Sequence, residues 1–112
     1  MKDKLVVLWI SRDEEAAINM AFMYARNSKL KGWWNEVELI IWGPSAKVAS
    51  ENKNIQEELK ELKNAGVNVR ACKACADKYQ VSERLSAMDI EVLYIGSILT
   101  DELKSGTKVI TV

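Results

Sequence analysis

The chain has 112 residues, 48% of them hydrophobic and 29% charged, with 16 basic side chains set against 16 acidic ones. That composition is that of a globular protein and excludes a disordered or fibrous one, and the zero net charge leaves no field to draw nucleic acid or an anionic membrane. The length is that of one domain, 1–112, large enough to bury roughly two thirds of its unfolded surface.

The first apolar run, "KLVVLWI" at 4–10, is nearly continuous in Leu, Val and Ile, as expected of a strand buried on both faces. Flanked by charge and only about seven residues long, it is too short for a signal peptide or a membrane span, which places the protein in the cytoplasm by default. "SRDE" follows, with Ser11 and Glu14 at capping-box spacing, and Ala17, Met20, Ala21, Tyr24 and Ala25 then recur at helical spacing. This helix is expected to end near Gly32. Residues 36–42, "EVELIIW", read as a second strand stopped by "GPS". Ile55, Leu59 and Leu62 share one face of a helix that Gly66 is placed to cap. "VNVRAC" is a third strand, Val81, Leu85 and Met88 mark another helix, and "EVLYIG" (91–96) and "KVITV" (108–112) are the fourth and fifth strands, joined by a short helical turn around "TDELKSG".

Alternating helices and apolar strands predict a three-layer α/β/α sandwich with a five-stranded, mainly parallel sheet. In such sheets function sits beyond the carboxyl ends of the strands. There the chain offers Ser11 after strand one, Trp42, Gly43 and Ser45 after strand two, Cys72, Lys73 and Cys75 after strand three, and Gly96 and Ser97 after strand four. All but the cysteines are pocket candidates by position alone.

No nucleotide fingerprint accompanies this fold. The loop after strand one carries Asp13, Glu14 and Glu15, which would repel a phosphate and instead favour the positive end of the first helix. No histidine occurs, so Ser-His-Asp and Cys-His catalysis within one chain and His-containing zinc sites are excluded. Chemistry is left to thiols, carboxylates, lysines and the backbone, and no cofactor is called for.

Both cysteines lie in "VRACKACADKY", at CxxC spacing. In a reducing compartment such a pair is more often catalytic or metal-binding than a structural disulfide. Unpaired N–H groups at a helix start, with Arg70, Lys73 and Lys78 nearby, would lower a thiol pKa and make a nucleophilic thiolate. The competing reading is that both are small residues buried under a strand end. Two thiolates without imidazole make half a zinc site, which carboxylates or a second subunit's pair would have to complete. The only proline, Pro44, leaves no counterpart for the companion proline of a thioredoxin-type dithiol. A sulfur carrier needs one nucleophilic cysteine that holds sulfane sulfur as a persulfide, and a second thiol can resolve it.

The segments "LVVLWISRDEEAAINMAFMYARN", "ELIIWGPSAKV", "GVNVRACKACADKYQV" and "GSILTDELKSGTKVITV" resemble the DsrE/DsrF-like family of sulfur-relay proteins over essentially the whole chain. The resemblance implies a parallel five-stranded sheet between helices and a homo-oligomer, commonly a trimer or hexamer, that passes sulfur between donor and acceptor proteins. It places Cys72 on the position that accepts the persulfide, with Cys75 as an additional thiol that could resolve it. Gln80 stands where the family usually has glycine. Ile18 and Phe22, off the main stripe of the first helix, and Trp33 and Trp34 at its end suit either subunit contact or intramolecular packing. Trp9 and Trp42 are expected in the core, with Trp42 able to wall a pocket over the thiol.

Overall fold

The apolar run at the start of the chain forms β1 (Lys4–Trp9), and its position accounts for its composition: it pairs with β2 (Glu36–Ile41) on one side and β5 (Lys108–Thr111) on the other. With β3 (Asn68–Cys72) and β4 (Glu91–Leu93) these strands make a five-stranded sheet in the order β4-β3-β2-β1-β5, every pair parallel. The computed structural model describes residues 3–112. Met1 and Lys2, included in the expected domain 1–112, lie outside the described residues.

The helices are α1, in which Glu14–Ala16 and Met23–Leu30 flank a π-helical segment Ala17–Phe22, then α2 (Ser45–Glu51), α3 (Lys53–Asn64), α4 (Lys73–Lys78), α5 (Ser82–Ala87) and α6 (Gly96–Lys104). Successive strands β1 to β4 step in one direction, and their connecting helices pack on one face, around Leu5, Val7, Trp9, Leu39, Ile41 and Val69. The step from β4 to β5 returns across the whole sheet. A right-handed crossover running backwards must use the other face, and α6 does so, packing Ile98 and Leu99 over Val6 and Ile40. Nine residues of helix reach about 14 Å, most of the roughly 19 Å across four strand spacings. The expected three layers are present, but one is thick and the other is essentially a single helix.

The elements differ from the sequence reading in four places. First, the capping residue of α1 is Asp13, whose carboxylate accepts from the Ala16 N–H, while Ser11 Oγ accepts from Asp13 N–H at 2.9 Å. Second, Phe22 is buried at 1% exposure, edge-on to Trp9 with ring centroids 4.9 Å apart, and Met20 is exposed. The π-helical segment explains both: i→i+5 bonding adds a residue to the turn and shifts the phase of the buried stripe from Met20 to Phe22. Third, β4 stops at Leu93, and the expected short turn is the helix α6 beginning at Gly96. Fourth, Ser45 opens the helix α2 instead of belonging to a loop.

Gln80 has φ 60°, with its N–H bonded to Asp77 O and the Val81 N–H to Ala76 O. That pairing is the Schellman ending of α4, whose left-handed residue is ordinarily glycine. A Gln there costs about 1 kcal/mol. The turn is kept with Gln80 in the left-handed conformation, and its cost is in backbone energy.

Candidate functional site

Period-two alternation along β3 turns Val69 and Ala71 to the thick side of the sheet and Arg70 and Cys72 to the α6 side. β3 ends at Cys72, which is also the residue before the first turn of α4, and Cys75 follows one turn later. Residues three apart on a helical turn face each other. The two free thiols are accordingly neighbours, near enough for Cys72 to influence Cys75. Cys72 is 3% exposed and Cys75 half-buried.

Strand register supplies the walls. Ile41 pairs with Ala71, so Trp42, one residue on, lies beside Cys72, and Leu93 is the direct partner of Cys72 on β4. Ile95, Ile98 and Leu99 close over them from α6 and the segment before it. Trp42 therefore does line the cysteines, as a half-buried member of the same apolar cluster.

This surrounding decides the electrostatics. Burial is the largest influence on the Cys75 thiol and pushes its pKa above the ordinary 9.0; the neighbouring Cys72 thiol also raises it. The Gly43 N–H, directed at the sulfur, and the more distant Lys78 charge oppose the rise without overcoming it. The helix-start N–H groups do not engage Cys72: its side chain takes no capping hydrogen bond from α4. Lys73 is directed elsewhere, with its ammonium 2.7 Å from Asp77 and 5.7 Å from the centre of the Tyr94 ring. The carboxylate beside it raises the Lys73 pKa, and Lys73 with Ser82 holds Asp77 below the usual carboxylate range.

The remaining candidates divide by strand. Gly43, with φ +71°, shapes the turn that aims its N–H at Cys75. Ser45, fully buried, ties that turn down: its hydroxyl lies 2.6 Å from Trp9 O and 3.0 Å from Trp42 O and accepts from Trp42 N–H at 3.1 Å. Gly96 and Ser97 form the exposed first turn of α6. Ser11 is remote from the thiols, at the end of β1 where its N–H bonds Val112 O, two strands or about 10 Å across the sheet from β3.

The sequence reading missed a polar cluster on the α6 side of the sheet. Glu38 is 1% exposed; Asn68 Nδ2 donates to its Oε2 at 2.9 Å, and Arg70 Nε lies 3.3 Å from Glu38 and 3.2 Å from Glu91. The sequence shows only a carboxylate within the apolar run of β2; its partner Asn68 is set by strand register. A cleft of about 660 Å³ also runs between α3 and the turn after α5, lined by Lys53, Glu57, Lys60, Lys63, Met88 and Asp89. It shares no residue with the thiol cluster. Among the described residues no group of three or more His, Cys, Asp or Glu side chains is placed to hold a metal ion, and no helix is long and apolar enough to cross a membrane.

The DsrE/DsrF-like family profile matches residues 4–112. The conserved protein of unknown function BT1422 from Bacteroides thetaiotaomicron is 35% identical, with a TM-score of 0.95 over 98% of this chain and 95% of that one. The ychN protein from E. coli (21% identity, TM-score 0.74, both chains covered in full) shares the fold. So does the protein of unknown function MTH1491 from Methanobacterium thermoautotrophicum (18%, 0.76, 98% of this chain and 100% of that one). No curated protein sequence matches the chain. A match of this extent, together with a parallel sheet that sets Cys72 at the carboxyl end of β3, shows that the chain belongs to the DsrE/DsrF-like family.

Proposed function

We propose that this protein is a sulfur-relay protein that carries sulfane sulfur as a persulfide on Cys72, with Cys75 as the assisting thiol. The observation that carries the reading is the closeness of two free thiols at the carboxyl edge of the sheet, inside an apolar wall. Family membership supports sulfur relay in general. An apolar surrounding suits a persulfide, because it keeps water and stray thiols from the labile outer sulfur. The reading includes a cytoplasmic homotrimer or hexamer that exchanges sulfur with donor and acceptor proteins. Exposed Met20, Met23, Leu30 and Trp33 on and after α1 give such an oligomer apolar surface to bury.

A second reading is favoured by the raised Cys75 thiol and the burial of Cys72: an oligomeric binding or scaffold protein without turnover, its cysteines packed as small apolar residues. Mass spectrometry of the reduced protein after incubation with inorganic polysulfide separates the two. Addition of one sulfur atom at Cys72, absent from the Cys72→Ser variant, supports the relay. Two unmodified thiols, under conditions that load a known carrier, would give the scaffold reading first place.

A further inference from the structure

We propose that Cys75 is the port of the dithiol: sulfur arriving from outside bonds first to Cys75, passes inward to Cys72, and leaves by the same route. The inference rests on the persulfide reading and adds an order to it. Three observations carry it. Cys72 is almost wholly enclosed in the apolar cluster of β2, β4 and α6 side chains, whereas Cys75 is only half-buried. The thiols are neighbours one helical turn apart, so sulfur can pass between them without a domain movement. The Gly43 N–H is directed at Cys75, and Cys72 takes no hydrogen bond from the start of α4.

The chemistry balances without an oxidant. The Cys75 thiolate attacks the outer sulfur of a persulfide RS–SH; the donor S–S bond breaks, a Cys75–S–SH bond forms, and RS⁻ departs with the proton that Cys75 released. The Cys72 thiolate then attacks the same outer sulfur, giving Cys72–S–SH, and Cys75 leaves as a thiolate that recovers the proton of Cys72. Each transfer moves one sulfane sulfur and leaves the thiol count unchanged. Exchange rates depend on the leaving thiol as well as on the attacking one. The Gly43 N–H stabilises negative charge on Cys75 in both steps, first as nucleophile and then as leaving group. No corresponding donor from α4 serves Cys72.

The test uses the reduced full-length protein and its Cys75→Ser and Cys72→Ala variants, exposed to a low-molecular-weight persulfide and quenched at intervals. Cleavage after Lys73 separates the two cysteines into different peptides for mass spectrometry. The wild type is alkylated with iodoacetamide in parallel, with no sulfur donor present. Loading of Cys72 is expected to slow at least about tenfold in Cys75→Ser, Cys72→Ala is expected to retain sulfur on Cys75, and wild-type alkylation is expected to reach Cys75 at least about tenfold before Cys72. Cys72 loading at the wild-type rate in Cys75→Ser would overturn the port and leave persulfide carriage standing. Alkylation of Cys72 first would overturn the port whatever the sulfur result. Absence of sulfur on either thiol of the wild type would remove both the port and the carriage on which it rests.

Discussion

Gly43→Ala isolates the contribution of one backbone conformation to the thiol site. A Cβ built at Gly43 meets no heavy atom within 4 Å, so the substitution adds no clash, and its cost comes from the φ of +71°. Holding an L-residue in the left-handed region costs roughly 1–2 kcal/mol, offset in part because Ala restricts the unfolded chain by about 0.4–1 kcal/mol. A net loss of about 1 kcal/mol remains. With an unfolding entropy of about 2.1 cal/mol/K per residue over 112 residues, that loss corresponds to a fall in Tm of about 4 °C. Thermal unfolding followed by circular dichroism measures it, and Cys75 alkylation is read on the same samples. If Gly43 relaxes to negative φ its N–H turns from the sulfur and alkylation slows; Gly43→Asn, which tolerates the left-handed region, should lose less of both. Unchanged stability in Gly43→Ala would refute the backbone argument. A destabilised variant with unchanged Cys75 reactivity would refute the link from that N–H to the thiol.

Ser45→Ala removes a fully buried hydroxyl that bridges the ends of β1 and β2, so a loss of about 2 kcal/mol is expected in urea unfolding, and a loss under about 0.5 kcal/mol would mean that water replaces it. The Cys75 thiol, with its pKa raised by burial, holds its proton more tightly folded than unfolded; its contribution to stability is therefore whole below the ordinary value of 9.0 and is lost as pH rises through the folded value. Wild-type stability should then decline between neutral and strongly alkaline pH more steeply than that of Cys75→Ser, and parallel curves would contradict the raised thiol. Arg70→Met strands the buried Glu38 carboxylate with only Asn68; since Arg70 is partly exposed, a cost of about 2–3 kcal/mol is expected, largely recovered in the double variant with Glu38→Met. Gln80→Gly relieves the positive φ of a non-glycine residue and should raise stability by about 0.5–1 kcal/mol in denaturant unfolding.

What could be read from the sequence followed from periodicity, and what could not followed from features that periodicity does not encode. Five apolar runs gave five strands because a parallel sheet covered on both faces leaves no polar alternation to blur them. The helix of Ile55, Leu59 and Leu62 was legible for the converse reason, a charged face opposite an apolar one. Phe22 was misplaced because its burial depends on a π-helical turn, and that turn shifts phase without any marker residue such as proline. Tyr94 and Ile95 prolonged the apparent fourth strand because both favour strands, but the backbone turns there to send α6 across the sheet. Glu38 was hidden inside a strand-like run, because its burial depends on Asn68 and Arg70 some thirty residues away, a pairing set by register.

The thiols show the same division with more consequence for function. CxxC spacing at a strand end placed Cys72 and Cys75 together, since that follows from one helical turn. Their electrostatics did not follow, because two of the three basic residues counted in the sequence have partners of their own: Lys73 engages Asp77, and Arg70 engages Glu38 and Glu91, leaving Lys78 to act on Cys75. At Cys75, burial and the Cys72 thiol are opposed by one backbone N–H from a neighbouring strand's turn and by the Lys78 charge. A thiol held largely protonated until a donor arrives reacts slowly with small solvent oxidants, because the thiolate is the nucleophile. Docking of a partner that brings positive charge or further N–H groups would lower the same pKa. On this argument protection and activation would both be set at one atom, Cys75 Sγ, and the proposed carrier would react fully only with its donor in place.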